Sequence, residues 1–179
     1  SGNSATYYGG GLFWCGQPIQ NNIISENSAK WGGGLYACNC TIQNNTINAN
    51  FASDVGGGLY SCSGTIQNNI ISGNSAADGG GLADCDGTVR NNLISGNSVT
   101  NYGGSGAYFD GIVRNNTITA NSADYYGGGL YNCNGTVEGN VILDNYAYYL
   151  GGGVSHSGGT IQNNFISGNY AWDGGGLSY

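Results

Sequence analysis

A run of three glycines begins at Gly9, Gly32, Gly56, Gly79, Gly127, Gly151 and Gly174, and the missing slot holds Gly103-Gly104-Ser105-Gly106. Successive starts lie 23 or 24 residues apart, so the chain is one unit copied with substitutions. Self-similarity at such a period means stacked supersecondary units, none of which can bury its apolar face alone. The stretch from Gly56 to Leu82 shows the unit plainly: GGGLYSCSGTIQNNIISGNSAADGGGL.

Each unit carries three short apolar pieces separated by turn-forming residues, and none is long enough for a helix. Leucine-rich units need several leucines per copy, and helical repeats are longer and rich in Ala, Leu, Glu and Lys. One turn of a parallel β-helix per unit remains, with three short strands closing each coil and like positions stacked. With neighbouring strands about 4.8 Å apart, roughly seven and a half coils make a rod of about 36 Å.

The columns agree with this. Ile19, Ile42, Ile66, Val89, Val113, Val137 and Ile161 form one apolar file, and Ile24, Ile47, Ile71, Ile94, Ile118, Ile142 and Ile166 a second. A third runs Leu12, Leu35, Leu59, Leu82, Leu130, Val154 and Leu177, broken at Gly106, with Ala29, Ala52, Ala76, Ala123, Ala147 and Ala171 completing the interior. β-Branched side chains suit a pleated surface, and cohesion is expected between neighbouring coils.

Two columns are polar and nearly uniform: Asn22, Asn45, Asn69, Asn92, Asn116, Asn140 and Asn164, and Asn27, Asn50, Asn74, Asn97, Asn121, Asn145 and Asn169. Asn tolerates the left-handed conformation a corner demands, and its amide both donates and accepts, so these rungs are expected to sit at corners and form structural ladders.

Cys15, Cys38, Cys62, Cys85 and Cys133 share one column, interrupted by Phe109 and Ser157, and Cys40 lies two residues beyond Cys38. The rung spacing is compatible with disulfides Cys15–Cys38 and Cys62–Cys85 in an oxidising compartment. The alternative is a stack of thiols packing as small hydrophobes, which the substitution by Phe109 favours. Zinc is disfavoured, because Cys38-x-Cys40 is too tight for the usual ligand spacing and His156 lies far along the rod. No cofactor is expected.

Aromatic residues gather before the glycine turn, among them Tyr8, Trp31, Tyr102, Tyr126, Tyr149 and Trp172, and a further outward set, Phe13, Tyr36, Tyr60 and Tyr131, follows the Leu file. Stacked along a rod they make ridges of amphipathic rings suited to a glycan or another protein. They equally suit the shielding of a glycine-rich corner, and the ridges lapse at Asp54-Val55 and Asp78.

The net charge is −7 with only Lys30, Arg90 and Arg114 basic, which excludes nucleic acid and anionic membrane surfaces as partners. No apolar run is long enough to cross a bilayer. The one cluster with the makings of an enzyme is Asp84, Asp86 and Asp110 beside Arg90 and Arg114. Asp86 and Asp110 fall in one column and so lie one rung apart, but each precedes a Gly, as in an ordinary turn. Phosphate-loop, triad and calcium-repeat motifs are not found.

The Gly-Gly-Gly-Leu tetrads paired with Ile-x-x-Asn, as in Ile71-Ser72-Gly73-Asn74 and Ile118-Thr119-Ala120-Asn121, resemble the GGA[ILV] and FxxN tetrads of polymorphic outer-membrane-protein repeats. They are similar more broadly to bacterial right-handed parallel β-helix repeat proteins. The likeness covers the whole chain and departs in Leu for Ile or Val after the glycines and Ile for Phe in the second tetrad. It implies an extracellular or cell-surface rod with an adhesive or structural role and no catalytic residues. The crossover preference of parallel strands gives the same hand.

The expectation is therefore an all-β, single-stranded right-handed parallel β-helix (solenoid) of about seven and a half coils, one continuous segment over residues 1–179. Both ends fall mid-unit and neither reads as a cap, which points to a longer chain or to end-to-end self-association into a filament. The alternative is a glycan-binding or polysaccharide-degrading β-helix using the aromatic ridges or the acidic patch near Asp86.

Overall fold

Every coil is closed by backbone that alternates two- to five-residue strands with left-handed corners. The computed structural model describes residues 1–179. In the third coil the strands are Leu59–Tyr60, Thr65–Gln67, Ile70–Ser72 and Ser75–Ala76. Like strands of successive coils pair in parallel and in register, for example Leu35 with Leu59 and Ile66 with Val89. Four sheets of eight, seven, seven and six strands run the length of the rod.

The expected three strands per coil are thus corrected to four. The additional sheet begins at Ser28–Trp31 and passes through Phe51–Val55, Ser75–Ala76, Ser98–Val99, Ser122–Ala123 and Tyr146–Ala147. Its inward Ala29, Ala52 and Ala76 and its recurring serines carry little β signature. It exists because pairing with the neighbouring coil satisfies its backbone groups, as in Ser75 N–H to the Asn50 carbonyl at 2.9 Å. The glycine corner lies directly on this sheet. A Cβ at Gly57 would come within 2.5 Å of both the Ser75 and Gly80 carbonyl oxygens, so the middle glycine is required by close packing of backbone on backbone.

The interior is a single stack of 22 buried residues, built from the Leu, Cys and two Ile/Val files. In its middle Leu59, Cys62, Ile66 and Ile71 are fully buried. The strand alternation explains the pattern: in Leu59–Tyr60 the leucine points inward and the tyrosine outward.

The corners differ from expectation in one detail. The ladder asparagines do not themselves adopt positive φ. The residue before each does: Asn68 (φ 55°) precedes Asn69, and Gly73 (φ 62°) precedes Asn74. A third such corner, at Ser61 (φ 54°), precedes Cys62. A left-handed residue turns the chain, and the following N–H is left without a backbone acceptor in the neighbouring coil. The side chain at that position must supply one.

The degenerate fifth coil is internally compensated. Gly106 replaces the file leucine, and the Phe109 ring, standing in the Cys column, fills the vacated volume: a Cβ on Gly106 would lie 2.5 Å from Phe109 Cε2. Ser105, in a glycine slot, is fully buried and its Oγ has no hydrogen-bond partner.

Candidate functional site

The two asparagine files form the expected ladders. Asn69 N–H and Nδ2 both donate to Asn92 Oδ1, at 2.9 and 3.0 Å, while Asn69 Nδ2 also donates to the Ile42 carbonyl at 2.9 Å. The second file repeats this from Asn27 through Asn50, Asn74, Asn97, Asn121 and Asn145 to Asn169. Every polar valence of an interior rung is used, which leaves nothing to offer a ligand.

All six cysteines are free thiols, so Cys15–Cys38 and Cys62–Cys85 are not bridged in this structure. The file works instead as a sulfur version of the asparagine ladder. Cys38 N–H donates to Cys62 Sγ at 3.4 Å, and Cys38 Sγ–H donates to the Tyr36 carbonyl at 3.5 Å. Ser157 takes the same role, accepting from Cys133 N–H at 3.1 Å. Burial pushes the Cys133 thiol up to about 12, and the hydrogen bond to Cys62 together with burial raises Cys38 well above its usual range. Such thiols are poor nucleophiles. No group of three or more His, Cys, Asp or Glu side chains is placed to hold a metal ion.

Asp86 and Asp110 do occupy adjacent rungs, but Asp86 Oδ1 accepts the Asp110 backbone N–H at 3.0 Å. The same bond links Asn39 Oδ1 to Ser63 N–H at 2.9 Å one pair of coils earlier, so the carboxylate serves as a turn ladder. Asp84 points outward nearby; burial, then Asp86 and Asp110, raise its carboxyl above the usual range.

The distinctive outer feature is the pair of aromatic ridges flanking the glycine corner. The tight corner brings the residue before the glycines against the residue after the file leucine. In the first ridge Tyr8 lies 4.7 Å from Tyr36 and 5.2 Å from Trp31, ring centroid to centroid. Trp31 Nε1–H donates to Asp54 Oδ2 at 2.8 Å, and Lys30 Nζ sits 4.3 Å from the Trp31 ring. In the second, Tyr102 stacks on Tyr131 at 4.7 Å and on Tyr126 at 5.3 Å, and His156 follows 5.0 Å from Tyr126.

Between the ridges the rings give way to Asp54, Asp78 and Asp84. Asp78 accepts the Tyr102 N–H at 3.2 Å and the Tyr108 hydroxyl at 3.4 Å. Burial raises both Asp78 and Tyr108.

Tyr149 and Trp172 belong to a different file from Tyr8, Trp31, Tyr102 and Tyr126. The bridged rungs run Tyr102, Tyr126, Leu150, Asp173, and Tyr149 and Trp172 lie one residue earlier, with Tyr125 stacked on Tyr149 at 5.7 Å. A pair of adjacent aromatics before the glycines conceals which one takes the rung. The structure also adds members that sequence reasoning missed: His156, Lys30 and Tyr108. Placing these outward positions in the columns that flank the glycine tetrad would have found them.

Two shallow clefts open on this face, each about 380 Å³. One is lined by Tyr8, Phe13, Trp14, Tyr36, Ala37 and Asn39, the other by Tyr126, Tyr148, Tyr149, Leu150, Trp172 and Asp173. A larger hollow of about 440 Å³ is the exposed core at the N-terminal end of the stack, reached past Leu12, Cys15, Ile19 and Ile24. On another sheet an outward file that includes Ile23, Ile70, Leu93 and Phe165 exposes apolar side chains and carries no charge.

A parallel β-solenoid with stacked asparagines and an aromatic outer face defines the class. The chain belongs to the right-handed β-helix family: the family model described as a right handed beta helix region matches residues 36–179. No curated protein and no solved structure matches the chain.

Proposed function

We propose that the chain is a non-catalytic adhesive rod of the cell surface or extracellular space, which presents its aromatic face to a partner surface. The observation that carries this reading is the rigid repetition of rings: side chains outside two of the corner files are held one coil apart by parallel strands, so several rings meet a partner at once with little entropy left to lose. The bacterial surface setting rests on the likeness of the glycine and Ile-x-x-Asn tetrads. A glycan is the partner class that ring platforms best fit, with another protein the alternative.

Cleavage of that glycan is disfavoured by the use of Asp86 as a backbone acceptor for Asp110. Purified chain applied to a panel of polysaccharides and protein-coated surfaces is expected to be retained on at least one. Replacing Tyr102, Tyr126 and Tyr131 together by Ser is expected to reduce retention at least about tenfold, whereas Gln43→Ser on another sheet leaves it unchanged. Reducing-end release that disappears in Asp86→Asn would replace the adhesive reading with an enzymatic one.

A further inference from the structure

We propose that the cleft at the C-terminal end of the second ridge is a binding site for a quaternary ammonium group. This deepens the adhesive reading and rests on it, because it assigns a chemistry to one part of the same face. The cleft holds about 380 Å³ between Tyr126, Tyr148, Tyr149, Leu150, Trp172 and Asp173. Its rings stand at steep angles to one another: Tyr148 meets Tyr149 at 77° and 4.6 Å, and Tyr126 meets Tyr149 at 60° and 6.3 Å. Each pair packs edge on face, so the ring planes diverge, and a face left open to the cleft is what attracts a cation. Trp172, the best cation-binding ring, is 74% exposed at the mouth, and Asp173 contributes the one carboxylate.

The other end of the same face shows the pairing made internally. Lys30, the only lysine of the chain, lies with Nζ 4.3 Å from the Trp31 ring, whose Nε1–H is bonded to Asp54. A cation, an indole and a carboxylate are already together there. The C-terminal cleft has the indole and the carboxylate but no basic residue of its own: Arg90 and Arg114 lie in strands Thr88–Arg90 and Ile112–Arg114 of a different sheet. A primary ammonium needs three acceptors, and beyond the Asp173 carboxylate and the tyrosine hydroxyls the lining is ring face and Leu150. A trimethylammonium donates no hydrogen bond, so this lining matches it better.

The test is a titration of the chain carrying Trp14→Phe and Trp31→Phe, in which Trp172 is the only indole, with choline chloride, with tetramethylammonium chloride and with the neutral carbon isostere of choline, at constant ionic strength. Saturable change in Trp172 emission with a dissociation constant on the order of millimolar is expected for both cations, with the isostere at least about tenfold weaker. Tyr149→Leu, which keeps apolar volume and removes a ring, is expected to weaken choline about tenfold, and Asp173→Asn about threefold. Phosphatidylcholine vesicles run in parallel separate a lipid headgroup from a free cation as the source.

Equal affinity for the isostere, or affinity unmoved by both variants, would overturn the assignment. Surface retention through Tyr102 and Tyr131, which lie outside the cleft, would survive that outcome. Failure of the unsubstituted chain to be retained on any surface, with choline binding intact, would instead remove the adhesive reading alone.

Discussion

Asn92 makes five of the hydrogen bonds of its ladder. It accepts Asn69 N–H and Nδ2, donates Nδ2 to the Ile66 carbonyl and to Asn116 Oδ1, and donates its own N–H to the same oxygen. Truncation to Ala keeps only the last of these and strands buried groups of Asn69 and Ile66 in the preceding coil. Asn92→Ala is therefore expected to cost about 3 kcal/mol in urea denaturation. Asn91, one residue earlier, holds φ at 55° and supplies the turn. Asn91→Gly is expected to be neutral within about 0.5 kcal/mol, since Gly139 already occupies that column at φ 64°. The two residues are identical in type and opposite in role; dihedrals and hydrogen bonds separate them, and Gly139 in the Asn91 column is the trace of the turn in the sequence. Reading both columns as polar corners was sound; assigning the left-handed conformation to the ladder member was not.

At the scale of a coil, Gly106 and Phe109 are one substitution spread over two positions. Phe109→Cys alone empties the ring volume beside Gly106 and is expected to lose about 4 kcal/mol. Gly106→Leu alone drives a side chain into Phe109 and is also expected to destabilise. The double variant restores the composition of the other coils, so the pair should couple favourably by about 2 kcal/mol in a double-mutant cycle. Simple additivity would show that the ring does not substitute for the file leucine. Ser105→Gly should separately gain about 1 kcal/mol by removing the buried hydroxyl that lacks a partner. The interruptions of the leucine and cysteine files were both visible in the sequence. That they cancel was not, because their proximity depends on how a strand and a corner share the interior.

For the whole rod, the titrating groups push stability in one direction. Burial raises the Asp78 and Asp84 carboxyls, so the folded chain keeps those protons to higher pH than the unfolded chain does. Stability then falls as pH rises past the unfolded carboxyl value of about 3.9. Raised thiols act with the same sign at the alkaline end, where the unfolded chain ionises from about 8.5. The folded Cys133 resists until about 12. The net charge of −7 adds self-repulsion as protons leave. Thermal midpoints are accordingly expected to decrease in order through about pH 4, about pH 7 and about pH 10. Asp84→Asn should raise the midpoint near neutrality and flatten the acid limb; a midpoint that climbs into the alkaline range would contradict the assignment.

The period, the parallel stacking and the membership of the core files are legible in the order of the residues, because in a solenoid the neighbour of a residue in space is its counterpart one unit along the chain. Ile66 and Val89 pair as their columns require. Tertiary structure decided what lies outside that rule. The fourth sheet, with its recurring Ser and Ala, is defined by backbone pairing rather than by side-chain character, and the sulfur ladder by hydrogen bonds to the adjacent coil. The aromatic clefts arise where different columns meet across the glycine corner, as Tyr8 meets Tyr36 and Tyr126 meets His156. Repetition along the rod fixes vertical neighbours; the angle at which the chain turns a corner fixes lateral ones, and that angle is a property of the folded backbone.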